Sequence, residues 1–125
     1  MSNKQKVLVV DDEVNISMAI QFLMEDNGFE VAIAFNGEEA LGKMAVFKPD
    51  IVLLDVMMPK MNGFEVAKTI RQNPANMDVK IIFLTAKGTD RDKMEGYGSG
   101  GDVYLTKPFD NQELVDPVKE TLAFG

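Results

Sequence analysis

The sequence predicts an α/β fold, a single parallel sheet of five strands with helices on both faces. Three observations carry this. Five short apolar runs alternate with five helically periodic stretches along 125 residues, as in a parallel sheet whose crossovers are helices. The first, third and fourth runs are apolar almost throughout, as strands covered on both faces must be. The residues able to do chemistry fall just after runs one, three, four and five.

Taken in order, "KVLVV" (6–10) is the first strand. A helix follows from Val14 to Asn27, with Ile16, Ala19, Ile20 and Leu23 at helical spacing and Asn27-Gly28 as its stop. "EVAIAF" (30–35) is the second strand. Asn36-Gly37 opens a helix on which Ala40, Leu41, Met44 and Phe47 share a face, and Pro49-Asp50 ends it. "IVLLD" (51–55) is the third strand. Gly63 to Gln72 is helical through Phe64, Ala67 and Ile70, stopping near Asn73-Pro74. "VKIIFL" is the fourth strand, 90–98 a weaker helix, "VYL" a short fifth strand, and 110–123 a last helix with Leu114, Val118 and Leu122 in line. No linker, repeat or low-complexity stretch intervenes, so residues 1–125 read as one domain with a core from about 6 to 122.

Composition narrows the chemistry. There is no cysteine and no histidine, which excludes disulfides, zinc–thiolate sites, thiol catalysis and the commonest general base. A net charge of -7 does not suit a nucleic-acid or anionic-membrane surface. The start "MSNKQK" lacks an apolar signal core and no run approaches a membrane span, so a cytoplasmic setting is expected. Carboxylates, hydroxyls, lysines and backbone remain.

Ligands of such sheets bind beyond the carboxyl ends of the strands. Asp11, Asp12 and Glu13 follow the first strand, Asp55 ends the third, Thr85 follows the fourth, and Thr106 and Lys107 follow the fifth. The order 2-1-3-4-5, a flavodoxin-like doubly wound (βα)5 arrangement, makes these strands neighbours. Carboxylates without histidine form a hard oxygen site suited to Mg²⁺. The cation would relieve the repulsion between Asp11 and Asp12, and Asp55 would be a nucleophile toward phosphorus. Lys107 would neutralise phosphoryl oxygens and Thr85 would donate to them. The same acidic pair could also cap the first helix.

The segments "VLVVDDE", "DIVLLDVMMPKMNGFEV", "IIFLTAKG" and "DVYLTKPF", at these separations, closely resemble the receiver domain of two-component response regulators, including the chemotaxis type. The resemblance implies that Asp55 accepts a phosphoryl group from a sensor histidine kinase or phosphotransfer protein. It implies that Mg²⁺ is held by Asp12, Asp55 and the backbone carbonyl of Met57, with Asp11 assisting through water. Thr85 and Lys107 match the phosphate-contacting hydroxyl and lysine, and Thr85 and Tyr104 the switch pair, Tyr104 turning inward when Thr85 moves. The Lys107-Pro108 bond should be cis. Met57 and Lys87 match the positions that tune the lifetime of the phosphorylated form. It further implies a switch rather than an enzyme on other substrates, signalling through the fourth helix, fifth strand and fifth helix as a monomer or weak homodimer, with a downstream partner that the sequence does not name.

Two stretches depart from the pattern. "EGYGSGGDVY" has Gly96, Gly98, Gly100 and Gly101 within six residues, and each helical glycine costs up to ~1 kcal/mol, so the fourth helix is expected to fray and end by Gly96. Pro117 sits inside the last helix, which should kink there or start late. Competing readings are a phosphatase with a strand-end aspartate nucleophile, disfavoured because Asp55 is followed by Val56-Met57 rather than a second Asp two residues on, and a degenerate receiver acting as a binding scaffold.

Overall fold

A computed structural model describes residues 4–86 and 90–124; Lys87, one of the two expected rate-tuning positions, lies outside them. The elements run β1 (Lys6–Val10), α1 (Val14–Asp26), β2 (Glu30–Ala34), α2 (Gly37–Phe47), β3 (Ile51–Asp55), α3 (Gly63–Gln72), β4 (Lys80–Thr85), α4 (Asp90–Gly98), β5 (Val103–Thr106) and α5 (Asn111–Phe124). A single 3-10 turn, Pro74–Asn76, follows α3. All neighbouring strands pair in parallel, in the order β2-β1-β3-β4-β5.

Strand side chains alternate between the two faces, and the core divides accordingly. Leu8, Val10, Val52, Leu54, Ile81 and Phe83 pack with α2 and α3 residues such as Met44, Phe64 and Ile70. Val7, Val9, Ile51, Leu53, Ile82 and Leu84 pack with Ile20, Met24, Leu114 and Val118 of α1 and α5. Every residue of β3 is buried, and its last is Asp55. The buried stripe of α1 is Ser17, Ile20 and Met24, while Ala19, expected inside, faces out.

The helix starts follow local chemistry. Asn62 caps α3 in a reciprocal box with Glu65, and Asn36 accepts from the Glu39 amide at 2.8 Å. Asp110 and Glu113 exchange the same pair of bonds ahead of α5. The late start expected of α5 is absent: the capping box fixes it at Asn111, and the helix continues across Pro117.

The fourth helix is also longer than expected, ending at Gly98 rather than Gly96. The Ser99 amide reaches the Glu95 and Gly96 carbonyls, and those of Gly100 and Gly101 reach Tyr97 and Gly96. The Ser99 hydroxyl donates to the Glu95 carbonyl at 2.7 Å. These bonds satisfy the last carbonyls of the helix, and the glycines do not unwind it. Beyond it, Arg71 of α3 donates to the carbonyls of Gly100, Asn76 and Val79 and pairs with Asp102 at 3.0 Å.

Candidate functional site at the carboxyl edge of the sheet

The site is built from the exits of β1, β3, β4 and β5. The Asp11 amide still donates to Ala34 of β2 at 3.2 Å, so Asp11 is held as an extension of the sheet and is only 2% exposed. Its Oδ1 accepts from the Glu13 amide at 2.9 Å. Its carbonyl accepts from the buried Ser17 hydroxyl at 3.0 Å. Glu13, not Asp11 or Asp12, is the N-cap of α1, and its side chain makes no capping bond. Neither aspartate is therefore the cap, although one Asp11 oxygen satisfies the Glu13 amide at the helix start.

Asp55 lies across from Asp11, 6% exposed, with Asp12 on the solvent side. One carboxylate oxygen from each of Asp11, Asp12 and Asp55 falls within 4.8 Å of the others. A buried anion among like charges holds its proton more tightly. The Asp55 carboxyl is accordingly raised to about 6: burial is the main cause, Asp11 adds to it, Lys107 and the Met57 amide oppose it, and Asp12 adds a little more. The Met57 amide donates to Asp55 Oδ1 at 3.4 Å, while the Met57 side chain is 57% exposed. Three hard oxygen donors crowded at cost to one another fit a divalent cation such as Mg²⁺.

Thr85 is fully buried at the end of β4, and its carbonyl accepts from the Lys107 amide at 2.7 Å. The Lys107–Pro108 bond is cis, as expected. Lys107 Nζ lies 3.4 Å from Asp11 Oδ2, so its ion pair is with Asp11. Tyr104 is buried beside Phe83, with ring centroids 6.0 Å apart, so the ring expected to turn inward when Thr85 moves is already inside. Its phenol is pushed above the usual value by burial first, then by Asp92 and Glu95, against a hydrogen bond with Thr85. Of the residues expected at the site, Asp11, Asp12 and Asp55 cluster, Lys107 pairs with Asp11, the Met57 amide meets Asp55, and Thr85 of β4 and Tyr104 of β5 bond to each other; Lys87 lies outside the described region.

Two contributors were not singled out in the sequence. Ser17 reads as one more helical position, yet it anchors the Asp11 backbone. Gly63 opens α3 directly under Asp55: a Cβ there would stand 2.5 Å from the Asp55 carbonyl oxygen and 2.9 Å from Val56 Cα. Its amide closes the loop onto the Val56 carbonyl at 3.0 Å. The glycine in "KMNGF" was the available signal.

The family description "Response regulator receiver domain" matches residues 7–119. The chain belongs to that family. Receiver domains are phosphoryl-accepting signalling switches rather than enzymes in the usual sense. The chain is 45% identical over 118 residues to the alkaline phosphatase synthesis transcriptional regulatory protein PhoP of Bacillus subtilis, covering 94% of this chain and 48% of that protein. It is 43% identical over 114 residues to the transcriptional regulatory protein DltR of Streptococcus agalactiae, covering 91% and 50%. It spans about half the length of the curated relatives it matches. Among solved structures, the chemotaxis protein CheY4 of Vibrio cholerae superposes with a TM-score of 0.90 at 34% identity, covering 94% of this chain and 98% of that one. A response regulator from Chloroflexus aurantiacus gives 0.91 at 36% identity, covering 97% and 99%. No helix among the described residues of this receiver is long and apolar enough to cross a membrane.

Proposed function

We propose that this receiver takes a phosphoryl group onto Asp55 from the phosphohistidine of a sensor histidine kinase or phosphotransfer protein. The observation that carries it is the convergence of Asp11, Asp12 and Asp55 within one small acidic cluster, flanked by Lys107 and Thr85, at the carboxyl edge of a receiver sheet. An Asp55 oxygen forms the new bond to phosphorus, the N–P bond breaks, and the imidazole leaves with the bonding pair and takes up a proton. Asp12, Asp55 and the Met57 carbonyl would hold Mg²⁺, with Asp11 assisting through water. When bound, Mg²⁺ supplies positive charge against the carboxylates and the phosphoryl oxygens. Lys107 exchanges its partner Asp11 for a phosphoryl oxygen, and Thr85 donates its hydroxyl to another. Tyr104 follows Thr85 and alters the face formed by α4, β5 and α5, which a downstream protein or output domain reads. These residues carry no nucleic-acid role in this reading, consistent with the net charge of -7, and the setting is cytoplasmic.

Incubation with acetyl phosphate tests this directly by intact mass. The expected result is one added phosphoryl group that needs both Mg²⁺ and Asp55 and is absent in Asp55→Asn. No gain in the native chain would leave a binding-only scaffold as the better account.

The Met57 side chain is apolar and exposed beside the acceptor, and it offers no hydrogen bond to orient an attacking water. Met57→Asn should therefore shorten the phosphorylated lifetime severalfold, followed as loss of the added mass after the donor is removed. An unchanged or longer lifetime would refute this role.

A further inference from the structure

The four glycines around the end of α4 have different reasons for being there. At Gly98 an added Cβ would meet nothing within 4 Å. Gly100 has φ +108, a backbone conformation that side chains disfavour. Gly101 leaves room for Phe83, whose Cε2 would lie 2.3 Å from an added Cβ. Gly96 is of another kind. It sits within a regular helix, where glycine is less favourable than alanine, and it has no positive φ to justify it. An added Cβ would stand 2.8 Å from Tyr104 Cδ2, 3.1 Å from Cε2 and 3.2 Å from Phe83 Cδ2.

We propose that Gly96 is a positioning residue for Tyr104: the missing side chain on α4 is the seat into which the Tyr104 ring folds, keeping its hydroxyl with Thr85. The significance of that seat for signalling rests on the reading of Thr85 and Tyr104 as the switch pair. Its physical basis does not. Tyr104 is 6% exposed although β5 lies at the edge of the sheet, so something beyond β4 must cover it. The backbone of α4 can approach closely enough to do so only where it bears no side chain. The helix accepts the local loss of propensity, and the bonds that close its end after Gly98 compensate. Because the contact joins α4 to β5, any change in the Tyr104 ring is felt by α4 directly.

The chain has two tyrosines and no tryptophan, so Tyr97→Phe leaves Tyr104 as the only tyrosine fluorophore. In that background, acrylamide quenching should be weak with Gly96 and rise severalfold in Gly96→Ala. Gly98→Ala, at the last residue of α4 and meeting no neighbour, should leave quenching unchanged. Equal shielding in the Gly96 and Ala forms would overturn the proposal. Should Gly96→Ala fold poorly, urea stability in a Tyr104→Val background decides: the cost of Gly96→Ala should largely vanish there, and an undiminished cost would refute the seat. Quenching before and after acetyl phosphate treatment separates this from the switch reading. A Tyr104 signal indifferent to phosphorylation but sensitive to Gly96→Ala leaves the seat standing and removes the switch.

Discussion

Replacing Asp55 with asparagine should stabilise the cation-free protein at neutral pH, by an amount on the order of 3 kcal/mol, even though it removes the proposed acceptor. The folded protein holds the Asp55 proton up to about 6, against 3.8 for the free side chain. A carboxyl whose folded pKa is raised favours the native state while it is protonated. That contribution is fully present below about pH 3.8 and is lost as pH rises through about 6. Above that, the native state carries an anion that is 6% exposed beside Asp11, relieved only in part by Lys107 and the Met57 amide. Asparagine keeps the shape and removes the charge. Urea unfolding in chelator should show the variant ahead by a constant margin above about pH 7, and the margin should shrink toward pH 4. A variant no more stable than the native chain at pH 7 would mean that the site is not strained. Added Mg²⁺ should raise the stability of the native chain more than that of Asp55→Asn, because a ligand of the folded state stabilises by mass action and one donor has been neutralised.

That strain was visible in the sequence in outline. "KVLVVDD" and "IVLLD" end buried strands on carboxylates, and the parallel order follows from the alternation of elements, so Asp11, Asp12 and Asp55 could be put on one edge without coordinates. The strand limits were equally legible, since β1 runs from Lys6 to the acidic pair Asp11-Asp12 and β3 starts after Pro49-Asp50 and ends on Asp55. What sequence could not settle was which partner each charge takes. Lys107 pairs with Asp11 across 96 residues, and Glu13 rather than either aspartate begins α1. Both depend on how loops meet in space. The end of α4 escapes the sequence for a similar reason: glycine's helix cost is a local property, whereas Gly96 faces Tyr104 and Gly101 faces Phe83, on strands packed beneath the helix. The Arg71 bonds to Gly100 and Asp102, which hold α3 to the turn before β5, likewise join residues 29 and 31 positions apart and have no periodic signature.

Phe83→Ala should be the most destabilising of the substitutions considered, by about 3–5 kcal/mol. Phe83 is completely buried in β4. Its ring meets Phe64 edge-on with centroids 5.2 Å apart and Tyr104 at 6.0 Å, and it lies against the backbone of Gly101 and near Gly96. Truncation removes the transfer term, leaves a cavity and deletes two aromatic contacts worth about 0.5–1.5 kcal/mol each. Small domains are stable by only about 5–15 kcal/mol, so the variant should unfold at a much lower urea midpoint with an unchanged slope. The surroundings cannot collapse inward easily, because β4 is paired on both sides and α3 is held by its capping box. The same fit sets a second expectation. Gly101→Ala should destabilise the native chain by about 1–3 kcal/mol through overpacking, but much less in a Phe83→Leu background, where the ring edge it would strike is gone. Additive costs in the double variant would show that Gly101 is there for its backbone alone and that the aromatic row from Phe64 to Tyr104 does not depend on it.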